Sequence, residues 1–207
     1  MATIEIGSNL SWNTKIAVGA DSDVHRIGGF VVKEYPHLDL ATLLNYQRFT
    51  NQVAVSLVEN PLRRNILLKD DPWTVQFSVV QILEVSEGSH PRARSEYVPG
   101  PKGLNMPLGY SLWGAPPDIQ ELQDDREKSF LLTLYGHLND INSYGSRIVA
   151  ATDTSELGER VREETGVKNL DSIDGVNIKL RANPSRKELR VIVTDLGKYI
   201  HMLKFRE

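Results

Sequence analysis

The run from Trp73 to Val85 sets apolar side chains at Trp73, Val75, Phe77 and Val79, with Thr74, Gln76 and Ser78 between them. Successive side chains of a strand point to opposite faces, so this period of two predicts a strand with one buried face. Residues 40–59 carry a different period. Leu40, Leu43, Leu44, Tyr46, Phe49 and Val53 recur at helical spacing, Asp39 stands where an N-cap belongs, and Asn60-Pro61 ends the run. A chain that holds both rhythms in separate stretches is expected to be of mixed α+β class.

The other stretches fill in that picture. Lys15-Ile16-Ala17-Val18 and Gly28 to Tyr35 read as strands. Between them, Gly19 to Arg26 suits a sharp connection that turns backbone N–H groups outward. Ser86 to Pro91 reads as a turn, and Arg92 to Val98 as a shorter strand. Residues 99–117 are rich in Pro and Gly, which predicts a hinge between a β-rich region, 1–98, and a more helical region, 118–207. A helix is expected from about Ile119 to Ile141, and a short one from Glu156 to Glu164. Val176 to Leu180 and Leu189 to Thr194 read as the arms of a hairpin around Asn183-Pro184-Ser185.

Composition narrows the function classes. With 24 Lys and Arg against 27 Asp and Glu, the net charge is -3, so neither a nucleic-acid backbone nor a membrane surface is the expected partner. Arg63-Arg64 and Arg92/Arg94 are short clusters that fit a solvated surface. The chain has no cysteine, which excludes disulfides, thiol catalysis and cysteine-held metals. No apolar run approaches the ~20 residues of a membrane span. Met1-Ala2-Thr3-Ile4-Glu5 does not begin a secretory signal pattern, so a cytosol is expected, the producing cell's or another cell's into which the protein is delivered. The five histidines show no metal-ligand spacing.

Four positions stand out chemically. Lys33 is an ionisable residue on an otherwise apolar strand; its ammonium either snorkels to water or meets a phosphate as a compact charge. Asn177 and Asp195 flank the predicted hairpin, one before its first arm and one after its second. Turn chemistry explains either one singly. Together they offer two hard oxygen ligands to one divalent ion, of the kind magnesium takes beside phosphate. Asp171, and less directly Asp174, precede Asn177 and suit the orientation of an attacking hydroxyl.

Taken in order, these pieces resemble the protein-kinase-like superfamily, including its atypical members and the aminoglycoside phosphotransferase-like kinases. Gly19-Ala20-Asp21-Ser22-Asp23-Val24 resembles a glycine-rich turn with a single glycine. Phe30-Val31-Val32-Lys33 resembles the strand that carries the phosphate-binding lysine, and Glu96-Tyr97-Val98-Pro99-Gly100 the start of the hinge. Asp171 to Asn177 resembles the catalytic loop, and Val193-Thr194-Asp195-Leu196-Gly197 the Asp-Phe-Gly motif with Leu for Phe. The resemblance implies a minimal kinase-like fold, a β-rich N-terminal lobe and a reduced helical C-terminal lobe. It implies ATP and Mg²⁺ as cofactors and a protein or small-molecule hydroxyl as phosphoacceptor. Lys33 and Asp171 would be catalytic, Gly19, Lys33, Glu96 and Val98 would bind the nucleotide, and Asn177 and Asp195 the metal.

The chain also departs from that pattern. Ser172, not an aspartate, stands five residues before Asn177, so Asp171 requires one extra loop residue. The helix after Lys33 offers Gln47 or Gln52 where a glutamate is expected, and a glutamine would bond the lysine without neutralising it. Ten residues follow Asp195-Leu196-Gly197, which implies a kinase without the usual activation segment. Two other readings therefore stand beside the enzyme: a catalytically inactive kinase-like interaction module, and an unrelated α+β interaction domain.

Overall fold

The computed structural model describes residues 15–18, 22–68, 70–100, 117–136, 154–165 and 177–196. Gly19, Asp171, Asp174, Gly197 and most of the 99–117 stretch lie outside these. The described elements, in chain order, are β1 (Lys15–Val18), β2 (Asp23–Ile27), β3 (Phe30–Glu34), α1 (Leu40–Glu59), β4 (Arg63–Leu68), β5 (Asp71–Val79), β6 (Ile82–Ser86), β7 (Arg92–Glu96), α2 (Pro117–Gln120), α3 (Asp125–Gly136), α4 (Ser155–Thr165), β8 (Ile178–Asn183) and β9 (Glu188–Val193). The class is mixed α+β.

The strands form two sheets. One is five-stranded, in the order β1-β2-β3-β7-β6, and the other four-stranded, in the order β4-β5-β9-β8. All pairings are antiparallel except β5 with β9, which run parallel from Thr74↔Glu188 to Val79↔Val193. The second sheet thus draws two strands from each side of the 99–117 stretch.

Helix α1 begins and ends where the sequence placed it. Asp39 Oδ1 accepts from Thr42 N at 2.6 Å, satisfying one of the free amides of the first turn. Leu43, Tyr46, Phe49, Val53 and Leu57 are buried and seat the helix against β5, β6 and β7. Each fully buried large side chain contributes about 1.5–3 kcal/mol, so this one face carries much of the helix's stability. The alternation at Trp73, Val75, Phe77 and Val79 is buried as predicted, with Trp73 stacked on Phe130 of α3 at 4.4 Å.

Four local expectations are refined. The run from Trp73 to Val85 is two strands in different sheets. It breaks at Val80-Gln81 because Asn51 of α1 takes both polar groups of Ile82, accepting from its N–H at 2.8 Å and donating to its carbonyl at 3.0 Å. Asp23 to Arg26 is strand β2 rather than connection. A turn lies at Gly28-Gly29, between β2 and β3, where Gly28 takes φ +60°; the expected turn at Gly19 lies outside the described residues. The helix expected from Ile119 is α2 and α3, interrupted before Asp124, whose carboxylate accepts from the N–H groups of Arg126 and Glu127 and starts a new helix. Residues 63–68, read as solvated surface at Arg63-Arg64, form the edge strand β4. The hairpin β8–β9 stands as expected.

Candidate functional site around Lys33 and Asp195

Lys33 lies on β3, an interior strand, with Val24 of β2 on one side and Ala93 of β7 on the other. Its side chain does not run out to water. The ammonium Nζ donates to Asp195 Oδ2 at 2.5 Å, and the two side chains are only 15% and 18% exposed. The partners are 162 positions apart in the chain. Hydrogen bonds between charged groups are shorter and stronger than neutral ones, so this contact ties β3 to the segment that follows β9.

Two features hold Asp195 at this point. Strand β9 ends at Val193, whose carbonyl accepts from Val80 N at 2.9 Å, so the parallel β5–β9 pairing fixes where the chain emerges. Thr194 then folds back on Asn177: its N–H and its Oγ1 both donate to the Asn177 carbonyl, at 2.7 and 3.0 Å. Asn177 and Asp195 therefore lie at the same end of the β8–β9 hairpin, as their flanking positions in the sequence predicted.

The residue that sequence reasoning missed is Tyr46. Its hydroxyl donates to Asp195 Oδ1 at 2.6 Å and accepts from Leu196 N at 2.9 Å. Burial, then the Asp195 charge beside it, push the phenol well above its ordinary value, so it remains a proton donor at any physiological pH. Tyr46 entered the helical rhythm as one more core residue. The available signal was its polar tip, because a tyrosine in a fully buried stripe must find a partner for its O–H. The helix glutamines do not meet Lys33. Gln47 Nε2 donates to the Ile82 carbonyl and Gln52 Nε2 to the Glu164 carbonyl, both at 3.0 Å.

Beside the ion pair lies a small cavity whose polar lining is Lys33, Tyr46, Thr50, Ser95, Thr194 and Asp195. Its volume is about 10 Å³, roughly the room one water needs. Thr50 Oγ1 is buried there with no hydrogen-bond partner. A nucleotide does not fit inside this space. It would have to lie at the mouth, against Lys33 and Asp195. Strand β7 sends Ala93 and Ser95 into the cavity wall, whereas Glu96 is exposed at its end, paired across the sheet with Phe30. Val98 is half-buried and is not in the lining.

The region after β7 is tied to the helices. Tyr97 O–H donates to Glu121 Oε2 at 2.7 Å, and Arg26 bonds Glu121 at 2.9 Å while its guanidinium covers the Tyr97 ring at 3.8 Å. Lys179 Nζ donates to the Gly100 carbonyl at 2.9 Å.

Of the groups that would hold a magnesium–phosphate group, Asp195 offers a carboxylate and Lys33 an ammonium beside the cavity, whereas Asn177 is brought alongside by its backbone carbonyl, which already accepts from Thr194. Tyr46 and Lys33 occupy one acceptor direction on each oxygen of Asp195, and a carboxylate has about four. Among the described residues no three His, Asp or Glu side chains cluster as a metal cage. An ion here would take its remaining ligands from phosphate and water, as magnesium commonly does. Among the described residues no helix is long and apolar enough to cross a membrane. Comparison with protein families, with curated proteins and with solved structures finds nothing that matches this chain.

Proposed function

We propose that the chain is an ATP- and Mg²⁺-dependent phosphotransferase with a minimal kinase-like fold, acting on a hydroxyl of a protein or a small molecule. One observation carries this reading: the Lys33–Asp195 ion pair. The lysine of a Phe-Val-Val-Lys strand and the aspartate of a Thr-Asp-Leu-Gly motif were singled out separately in the sequence, and they meet at one point. The element order supports it too, with a strand pair, the lysine strand, a helix, a strand leading to the 99–117 stretch, and a hairpin followed by the aspartate.

In this reading Lys33 leaves Asp195 for the α/β phosphates, while Asp195 and Asn177 hold the metal. Glu96 and Val98 lie along the strand end where the nucleotide base would rest. Gly19 would cover the phosphates and Asp171 would orient the acceptor hydroxyl. Bound magnesium would neutralise charge on the transferred phosphoryl group. The chain's own contribution is positioning and preorganised charge, the main source of catalysis in phosphoryl transfer. Use of ATP accords with a cytosolic location, in the producing cell or in one that receives the protein. The four-stranded sheet would take the place of a free hinge between lobes, because it joins residues from both sides of 99–117.

A second reading, a catalytically inactive kinase-like interaction module, is favoured by the 10 Å³ cavity and by the absence, among the described residues, of an α1 carboxylate at Lys33. Calorimetric titration of ATP with and without Mg²⁺, on the wild type and on Asp195→Ala, separates the two. The phosphotransferase reading expects Mg²⁺-dependent binding that the substitution weakens by about a hundredfold, the scale of losing a charged metal ligand. Metal-independent binding favours the inactive module. No binding in either condition removes the phosphotransferase reading and leaves a protein-interaction role.

A further inference from the structure

Helix α1 touches Asp195 through one atom that does two things. The Tyr46 hydroxyl has a single proton, given to Asp195 Oδ1, and it accepts the N–H of Leu196, the next residue. A carboxylate and the backbone that follows it are thus tethered to the same oxygen. The ring behind that oxygen is itself fixed. Tyr46 is 2% exposed and stacks on Phe49 at 6.5 Å, and Leu196 is 1% exposed. Lys33, by contrast, grips the other oxygen, Oδ2.

The division matters once Lys33 moves. A carboxylate held only by the lysine would lose its geometry when the lysine turned to a phosphate. One held at Oδ1 by a buried phenol keeps it, with Oδ2 freed for a metal. We propose that Tyr46 is the positioning residue for Asp195, holding its carboxylate and the Leu196 amide in place independently of Lys33. Its connection to metal binding rests on the phosphotransferase reading; the tether itself does not. Helix α1 then acts on the aspartate rather than on the lysine, which accounts for Gln47 and Gln52 being engaged elsewhere.

The test compares Tyr46→Phe, Asp195→Asn and the wild type by two measurements: amide exchange at Leu196 by NMR, and Mg²⁺ titration at fixed ATP by calorimetry. Phenylalanine keeps the ring packing and loses both hydrogen bonds. Tyr46→Phe is expected to speed Leu196 exchange about tenfold, with Val53 and Ala54 at wild-type rates. It should raise the Mg²⁺ needed for half-saturation about tenfold, the worth of one hydrogen bond to a charged group, and leave Mg²⁺-free ATP affinity unchanged. Asp195→Asn retains an acceptor for Tyr46, so Leu196 should stay slow while the Mg²⁺ response is lost. Unchanged Leu196 exchange in Tyr46→Phe overturns the proposal. Faster exchange with an unchanged Mg²⁺ requirement also overturns it, leaving Tyr46 a structural clasp. If the wild type shows no Mg²⁺-dependent binding, the phosphotransferase reading falls. Fast exchange in Tyr46→Phe beside slow exchange in Asp195→Asn then still supports the tether.

Discussion

Of the carboxylates that reach across the chain to a cation, Glu127 and Asp195 are finished differently. Glu127 of α3 meets Arg181 of β8 in a two-pronged contact, at 2.8 Å from Nε and 2.9 Å from Nη2, and its Oε1 also accepts from Ala182 N at 2.7 Å. Both its oxygens are turned into the protein, and its side chain is 4% exposed. Hydrogen bonding to Glu127 holds the Arg181 guanidinium above its ordinary value, so Arg181 keeps its charge. Asp195 is paired to Lys33 through one prong and borders a small cavity. Arg in a planar fork suits a permanent joint, whereas a lysine ammonium is a point charge that can swing to another anion. The difference separates a joint that secures α3 to the sheet from a pair whose exchange of partners the proposed function requires.

The largest effect should follow from breaking the joint. Glu127→Ala leaves Arg181 and the Ala182 amide without their acceptor, and is expected to cost about 3 kcal/mol, lessened from the fully buried case because Arg181 is a third exposed. Urea unfolding measures it, and a loss under 1 kcal/mol would dissolve the contrast from this side. Gly100 belongs to the same clamped region. A Cβ there would sit 2.6 Å from the Leu180 carbonyl oxygen and 3.3 Å from Arg181 Cδ, at φ +130°. Gly100→Ala must therefore move backbone and is expected to cost about 2 kcal/mol. Unfolding at wild-type midpoint would mean that the segment packs on β8 more loosely than these distances require.

What the sequence disclosed follows the same line between local and non-local causes. The α1 boundaries were legible because Asp39 and Asn60-Pro61 act on their immediate neighbours. So was the buried face of β5, since alternation is a property of the strand alone. The break at Val80-Gln81 was not, because it is enforced by Asn51 from the preceding helix. Nor was the parallel β5–β9 pairing, which joins stretches more than a hundred residues apart. At the site, Lys33 and Asp195 were legible as residue types in motif-like settings. Tyr46 was hidden because its apolar ring satisfied the helical period, and only the third dimension shows what its hydroxyl reaches.

The smallest effect on stability, and the sharpest test of the contrast, comes from Lys33→Met. The methionine keeps the stem's packing against β2 and β7 and removes the ammonium. Asp195 retains the Tyr46 hydrogen bond and partial contact with solvent, so the expected cost is about 1 kcal/mol, well below that of Glu127→Ala. A cost near 3 kcal/mol would make the two ion pairs alike and remove the ground for calling one of them exchangeable. Titration with Mg²⁺ alone then tells what Asp195 is free to do. In the wild type an incoming ion competes with the lysine for Oδ2; without the lysine it does not. Magnesium should therefore bind Lys33→Met about fivefold more tightly than wild type, the equivalent of roughly 1 kcal/mol, while Mg²⁺-dependent ATP binding falls because the phosphates have lost their cation. Opposite signs in the two titrations are what an exchangeable pair predicts. The same sign in both would leave Lys33 and Asp195 as a second structural joint.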